Sequence, residues 1–353
     1  MAEGATSPLV AFDHEELFVR RGRRSGAYTV VAVHSTALGP ALGGCRMWRY
    51  ESSADGARDA LRLARAMTFK SAAAGVSLGG GKGVICADPG RPPTGRRRRD
   101  MLLDFADTVN ALEGEYVTAE DVGTSARDMA VIAQRTEHVT GLARSKGGSG
   151  DPSPFTAQGV EAAIRACCAR RFGSSDLKAR SVAVVGAGRV GSKLARRLAK
   201  AGAKVLLADI DESKRQLARD LPGARWAEPS KALVAPVDVL APCALGGVID
   251  SPLIPHLRCS VICGAANNQL AHEGLGEDLA AHDILYGPDF IANAGGIINI
   301  TVELEGNYDA ALARRRVAGI ERTMEMVFQR AEAAGHTPLE AAYALARERL
   351  TAA

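Results

Sequence analysis

The run Val182-Ala183-Val184-Val185 leads directly into Gly186-Ala187-Gly188-Arg189-Val190-Gly191, and this junction limits what the chain can fold into more than any other segment. A β-rich stretch, glycines in G-x-G-x-x-G order, a helical stretch to Ala201 and a second apolar run, Lys204 to Ala208, together describe a βαβ unit. Gly186 permits the tight turn, Gly188 lets a backbone approach a pyrophosphate, and Gly191 lets the helix pack closely on its strand. The helix N-terminus then offers free N–H groups and a positive dipole end to phosphates. Asp209 closes the next strand, roughly 20 residues beyond the fingerprint, where a carboxylate can grip the ribose hydroxyls and repel a 2′-phosphate. The pattern therefore predicts NAD as the cofactor, held by Gly186, Ala187, Gly188, Arg189, Val190, Gly191 and Asp209. Lys214 and Arg215 lie close enough to soften the preference over NADP, but the first turn of a helix is their simpler explanation.

At 353 residues the chain exceeds one typical core and calls for two domains. Residues 10–140 alternate strands and helices: Tyr28–Val33 reads as a strand, Ala57–Met67 as a helix, Val84–Ala87 as a short buried strand after glycines, and Met101–Leu112 as an amphipathic helix. The basic run Arg96–Arg99 reads as a solvated loop entering that helix. Lys146 to Pro154 is rich in Gly, Ser and Pro and reads as a hinge. A helix is expected over Thr156–Arg171, followed by the βαβ unit and short apolar runs at Val237–Leu240, Ser260–Cys263 and Ile284–Tyr286. Strands alternating with helices predict a parallel, doubly wound sheet. The fold class is thus α/β with two domains separated by a cleft: an N-terminal substrate domain with a mixed sheet, and a C-terminal Rossmann domain. The boundaries are 1–145, joined by a last helix at about 335–353 packing back on it, and 146–334.

Bulk properties exclude several classes. The net charge of +4, from 44 basic and 40 acidic residues, shows no nucleic-acid stripe. No stretch approaches the roughly 18–20 apolar residues of a membrane span, and Met1-Ala2-Glu3-Gly4 opens no signal peptide. The seven cysteines are scattered, with no C-x-x-C pair and no histidine at metal-ligand spacing. They read as reduced thiols of a cytoplasmic protein, and no metal site is predicted.

Two lysines carry candidate chemistry. Lys82 follows three glycines, and Lys70 lies in an otherwise apolar run, Ala64 to Ala74. Two ammonium groups sharing a cleft, or buried, would depress each other's pKa toward what a base activating water requires. Asp121, just before a Gly turn in Thr118-Ala119-Glu120-Asp121-Val122-Gly123-Thr124, could shuttle protons or equally cap the helix after Ser125.

These segments form a recognisable order. The chain resembles the leucine/phenylalanine/valine branch of the glutamate dehydrogenase superfamily, with motifs closest to leucine dehydrogenases. The motifs are Leu38 to Met47, Met67 to Lys70, Gly79 to Lys82, Thr118 to Thr124, Pro152 to Ala157, Ala241 to Gly246, Gly264 to Leu270 and Asn293 to Asn299. The resemblance implies oxidative deamination of an L-amino acid to its 2-oxo acid, ammonia and NADH, and the reverse, by a homo-oligomer. It assigns the substrate carboxylate to Lys70, water activation to Lys82 and amine protons to Asp121. Thr156, Ala241, Cys243, Ala244 and Asn268 then face the cofactor, and Gly43, Asn267 and Asn268 the substrate. Leu42 matches a lysine that pairs with the side-chain carboxylate in glutamate-specific relatives, so glutamate is disfavoured here. Ala119, Ile297 and Ile300 match pocket-lining positions, and alanine with two isoleucines favours leucine, valine or isoleucine; phenylalanine or tryptophan is the alternative. Cys45 and Trp48 depart from the family pattern. A 2-hydroxy-acid dehydrogenase would need a His–carboxylate pair, and none of the seven histidines sits in such a motif. A serine hydrolase lacks its G-x-S-x-G elbow. A non-enzymatic NAD sensor would predict loss of Lys82 or Asp121, and both are present.

Overall fold

A computed structural model describes residues 13–88 and 90–353. The reading of the first four residues lies outside them. The chain divides into two compact units, one reaching Gly150 and including Ala352–Ala353, the other spanning Asp151–Thr351.

The first unit contains β1 (Glu16–Arg21), β2 (Tyr28–Ser35), β3 (Ala41–Arg49), α1 (Ser53–Ala74), β4 (Gly79–Ala87), α2 (Gly95–Asn110), β5 (Tyr116–Glu120) and α3 (Ala126–Ile132). Its sheet runs β1-β2-β4-β3-β5 and is mixed: β1, β2 and β4 pair antiparallel, while β3 runs parallel to both β4 and β5. Alternation along the strands sends Val30, Ala32 and Val84 to α1, and Val31, Cys45, Met47 and Ile85 to a larger core with Phe105, Tyr116 and Met129.

Helix α1 starts in a capping box between Ser52 and Asp55 and stops at Gly75, which takes φ +66°. No breaker intervenes, so it runs on past Met67 and carries Lys70 on its last turns. Strand β4 is also longer than expected, because the glycines belong to it. A Cβ on Gly80 would lie 2.1 Å from the backbone nitrogen of Thr68. What Gly80 admits is α1, pressed against the strand, while Gly79 lies against the Ser35 carbonyl and Gly81 against the Tyr116 ring. The arginine run is corrected too: α2 begins at Gly95, so Arg96–Arg99 is helical. Arg98 donates from Nε to Asp128 at 2.8 Å and from Nη2 to the Gly123 carbonyl at 2.7 Å, tying α2 to the turn after β5.

The second unit contains α4 (Ser153–Phe172), β6 (Ser181–Val185), α5 (Gly191–Lys200), β7 (Lys204–Ala208), α6 (Arg215–Asp220), β8 (Arg225–Ala227), α7 (Pro229–Leu233), β9 (Val239–Pro242), β10 (Val261–Ile262) and α8 (Leu275–Ala281). It continues through β11 (Leu285–Tyr286), α9 (Asp289–Ala292), α10 (Gly295–Leu304), α11 (Ala310–Ala318), α12 (Ile320–Ala334) and α13 (Pro338–Thr351). The six strands are all parallel, ordered β11-β10-β9-β6-β7-β8, and the sheet is the doubly wound one expected. Helix α4 starts three residues earlier than expected; Pro154 is tolerated because the first turn has no partner for its missing N–H. The last helix belongs to the second unit, not the first. Leu339 of α13 joins the core containing Leu275, Leu279 and Tyr286, and the Tyr343 ring lies 5.0 Å from that of Phe290, so apolar burial holds α13 on the second unit.

All seven cysteines are free thiols. Burial pushes Cys86 and Cys259 up to about 11 and Cys45 well above its usual value. Among the described residues, no helix is long and apolar enough to cross a membrane, and no three His, Cys, Asp or Glu side chains cluster as a metal site.

Candidate active site and cofactor site

In the first unit Lys82 stands mid-strand on β4, 5% exposed, two residues before Val84 and so on the α1 side of the sheet. Its Nζ donates to Asp121 Oδ2 at 2.7 Å. Asp121 follows directly on β5, which leaves the sheet on the far side of β3. The same Oδ2 accepts from Nε of Arg46 on β3 at 3.0 Å. Burial alone would push the Asp121 carboxyl up; Lys82 and then Arg46 outweigh it and hold the group below the usual carboxylate range. The N-cap of α3 is Ser125, not Asp121. Its carboxylate is committed to two cations, and the turn after it is closed by Thr124, which receives the Asp121 N–H at 2.9 Å and donates to the Cys45 carbonyl at 2.8 Å.

Behind Arg46 the network continues. Its Nη1 donates to Asp59 Oδ2 on α1 at 2.8 Å, and Asp59 also accepts from the Tyr50 hydroxyl at 2.7 Å and from Arg62 at 2.8 Å. Arg46, Asp59 and Tyr50 were not singled out from sequence. The available signal was an arginine inside the run Ala41-Leu42-Gly43-Gly44-Cys45-Arg46-Met47, whose other residues carry no charge. Leu42, 1% exposed, and Gly43 lie on β3, and the buried Ala119 lies on β5 beside Gly44. Lys70 is half-buried on α1. Cys45 is fully buried in the core, whereas Trp48 is exposed. His34, like its fellows unassigned to chemistry, bonds the Thr68 hydroxyl at 2.9 Å and steadies α1.

In the second unit the fingerprint has the expected form. Gly186 takes φ +110°, and a Cβ on Gly191 would lie 1.8 Å from the Gly186 carbonyl oxygen. A Cβ on Gly188 would meet nothing within 4 Å, so its backbone is open to approach. Val190 is the N-cap of α5. Asp209, half-buried at the end of β7, accepts from the Ala187 N–H at 2.6 Å and from the Asp211 N–H at 2.9 Å; a carboxylate has capacity for further donors. Lys214 and Arg215 pair with Asp211 and Glu212, each at 3.8 Å, which accounts for them without a 2′-phosphate. Arg189 reaches Asp151 at 3.1 Å.

Across the ends of the neighbouring strands, Ala241 lies in β9, and the Cys243 N–H donates to the Val185 carbonyl at 2.7 Å. Burial pushes the Cys243 thiol up to about 12. Gly186 packs directly against Ala244. Asn268 holds φ +50° while its carbonyl accepts from Gly247, and Asn267 Oδ1 accepts from Asn293 at 2.9 Å. Thr156 stands in the first turn of α4, beside Gly296 of α10, and Ile297 and Ile300 are buried on α10. An open-faced glycine, an α-helix N-terminus and an acid at the next strand end fit an NAD pyrophosphate and ribose.

Residues 16–138 match the family model "Glu/Leu/Phe/Val dehydrogenase, dimerisation domain", and residues 206–353 match "Glutamate/Leucine/Phenylalanine/Valine dehydrogenase". The chain belongs to this family. As a Glu/Leu/Phe/Val dehydrogenase it is an NAD-dependent amino-acid dehydrogenase. It is 42% identical over 339 residues to the leucine dehydrogenase of Bacillus subtilis (strain 168), covering 96% of this chain and 92% of that one. It is 41% identical over 341 residues to the valine dehydrogenase of Streptomyces virginiae, covering 96% and 94%. The crystal structure of L-tryptophan dehydrogenase from Nostoc punctiforme superposes with a TM-score of 0.82 at 36% identity, covering 96% of each chain. Residues 158–244 also match "D-isomer specific 2-hydroxyacid dehydrogenase, NAD binding domain", a likeness confined to part of the second unit.

Proposed function

We propose that this dehydrogenase oxidises a branched aliphatic L-amino acid, leucine, valine or isoleucine. With one NAD⁺ and one water, the amino acid yields its 2-oxo acid, ammonium, NADH and a proton, and the reaction also runs in reverse. The observation that carries the reading is the buried contact of Lys82 with Asp121. Bound NAD supplies the hydride acceptor. Lys82 takes a proton from the water that attacks the substrate imine, and Asp121 takes and returns protons at the amine nitrogen. Lys70 receives the substrate carboxylate, and Gly43, Asn267 and Asn268 orient the substrate. Leu42, Ala119, Ile297 and Ile300 line its side chain. Thr156, Ala241, Cys243, Ala244 and Asn268 flank the nicotinamide half of NAD, and Gly186 to Gly191 with Asp209 bind its pyrophosphate and adenosine ribose. An aromatic substrate is the second reading, favoured by the likeness to L-tryptophan dehydrogenase. A sensor with a decayed site is disfavoured by an intact, paired Lys82. The match to a dimerisation domain supports a homo-oligomer, and seven free thiols support a reducing, cytoplasmic setting; neither nucleic acid nor membrane is needed.

The test is NADH formation by the purified chain with NAD and a panel of Leu, Val, Ile, Phe, Trp and Glu. Branched aliphatic substrates should lead and glutamate should fail; no turnover with any of them, or glutamate leading, overturns the reading. Leu42→Lys should lower kcat/KM on leucine at least about 100-fold, because it buries an unmatched ammonium against an apolar side chain. Asp209→Ala should raise the KM for NAD by about tenfold or more, the value of a charge-assisted hydrogen bond, while sparing NADP. An unaltered NAD/NADP ratio would contradict the ribose assignment.

A further inference from the structure

We infer that Arg46 is a positioning residue for Asp121, turning its carboxylate toward Lys82 and setting the charge around it, with Asp59 and Tyr50 as the anchor of Arg46. The inference rests on the roles proposed for Lys82 and Asp121, and it adds three residues that act through Asp121.

The geometry is specific. One guanidinium spans two carboxylates: Nε on Asp121 at 3.0 Å and Nη1 on Asp59 at 2.8 Å. A planar fork can hold both in fixed directions, which a lysine cannot. Asp59 is itself fixed by the Tyr50 hydroxyl and by Arg62, one turn along α1. Because Arg46 Nε and Lys82 Nζ share one oxygen of Asp121, moving the guanidinium moves the carboxylate against Lys82. Two further ionisable groups that feel the Asp121 charge are the Cys45 thiol from β3 and the Tyr116 phenol from β5. Burial holds both well above their usual values, so both are neutral at working pH.

Arg46 therefore sets a proton balance as well as a direction. The Asp121 carboxylate is the group these charges act on, held below the usual carboxylate range by Lys82 and Arg46. Removing a neighbouring positive charge raises the affinity of the Asp121 carboxylate for protons; removing the negative charge behind Arg46 lowers it. Asp59→Asn and Arg46→Gln must then move the acid limb of kcat/KM in opposite senses. That signature separates electrostatic positioning from plain loss of packing.

The experiment records kcat/KM against pH for parent, Arg46→Gln, Arg46→Lys and Asp59→Asn, with NADH affinity measured by fluorescence as a check on the cofactor unit. Arg46→Gln should shift the acid limb up by about one pH unit or more, as expected for loss of an adjacent opposite charge. Arg46→Lys should recover most of that shift while kcat stays below the parent. Asp59→Asn should shift the limb down. If Arg46→Gln does not fold, the downward shift in Asp59→Asn decides: its presence supports the inference, and an unmoved or rising limb overturns it. An active parent whose limb stays put in both variants overturns this inference alone. A parent without amino-acid oxidation overturns the underlying roles and this inference with them.

Discussion

Lys82→Ala is expected to lose about 10²–10⁴ of kcat, the range that one positioned acid–base group supplies, while NADH binds as it does to the parent. The residues proposed to bind the cofactor all belong to the second unit, so cofactor affinity is expected not to follow a change on β4. The ammonium replaced is almost fully buried and makes a 2.7 Å contact with Asp121. Removing one member of a buried pair ordinarily costs about 3–5 kcal/mol of stability. Here the cost should be smaller, because Arg46 still faces the same carboxylate oxygen at 3.0 Å. The variant should therefore fold, bind NADH and fail at turnover. Near-parental kcat would remove Lys82 from the chemistry, and loss of NADH binding would make it a folding residue. Lys82→Arg should not restore activity, since a guanidinium gives up no proton in this pH range.

The second large effect is expected at Gly191. A Cβ there would sit 1.8 Å from the Gly186 carbonyl and 3.1 Å from the Cys243 Cβ. The first neighbour is backbone and cannot swing aside, so Gly191→Ala must lift α5 from β6. The structural penalty for such overpacking is about 1–3 kcal/mol. The displaced helix N-terminus should also weaken NADH by at least about tenfold, or 1.4 kcal/mol. Gly188→Ala makes the control. Its methyl group meets no protein atom within 4 Å, so melting should be unchanged while NADH weakens, because the methyl lies where the pyrophosphate approaches. Equal melting temperatures for the two variants would refute the division of labour between these glycines.

Much of this molecule could be read without coordinates because its signals are local. Strand β6, the turn and α5 occupy one contiguous stretch, and Asp209 lies one element further on, so spacing alone aligned acid, glycines and helix. The parallel sheet followed from alternation in the same way. The departures arose where a distant partner set the outcome. Three glycines before Lys82 signalled a close approach, but only the folded structure showed that Thr68 of α1 approaches Gly80 and the Tyr116 ring approaches Gly81. The basic run after Gly95 looked like surface loop until Asp128, 30 residues on, gave Arg98 a partner. The last helix went to the second unit because Leu339 and Tyr343 find apolar partners there.

The active-site ion pairs mark the same division. Motif order gave the expectation that Lys82 and Asp121 belong to one chemistry, and the glycine fingerprint that the second unit binds a dinucleotide. They could not reveal Arg46, which meets Asp121 across 75 residues and Asp59 across 13. Those contacts depend on sheet order, with β3 lying between β4 and β5, and on α1 crossing the same face. Charge–charge contacts fall off over a few ångströms, and only the folded sheet brings these groups that close.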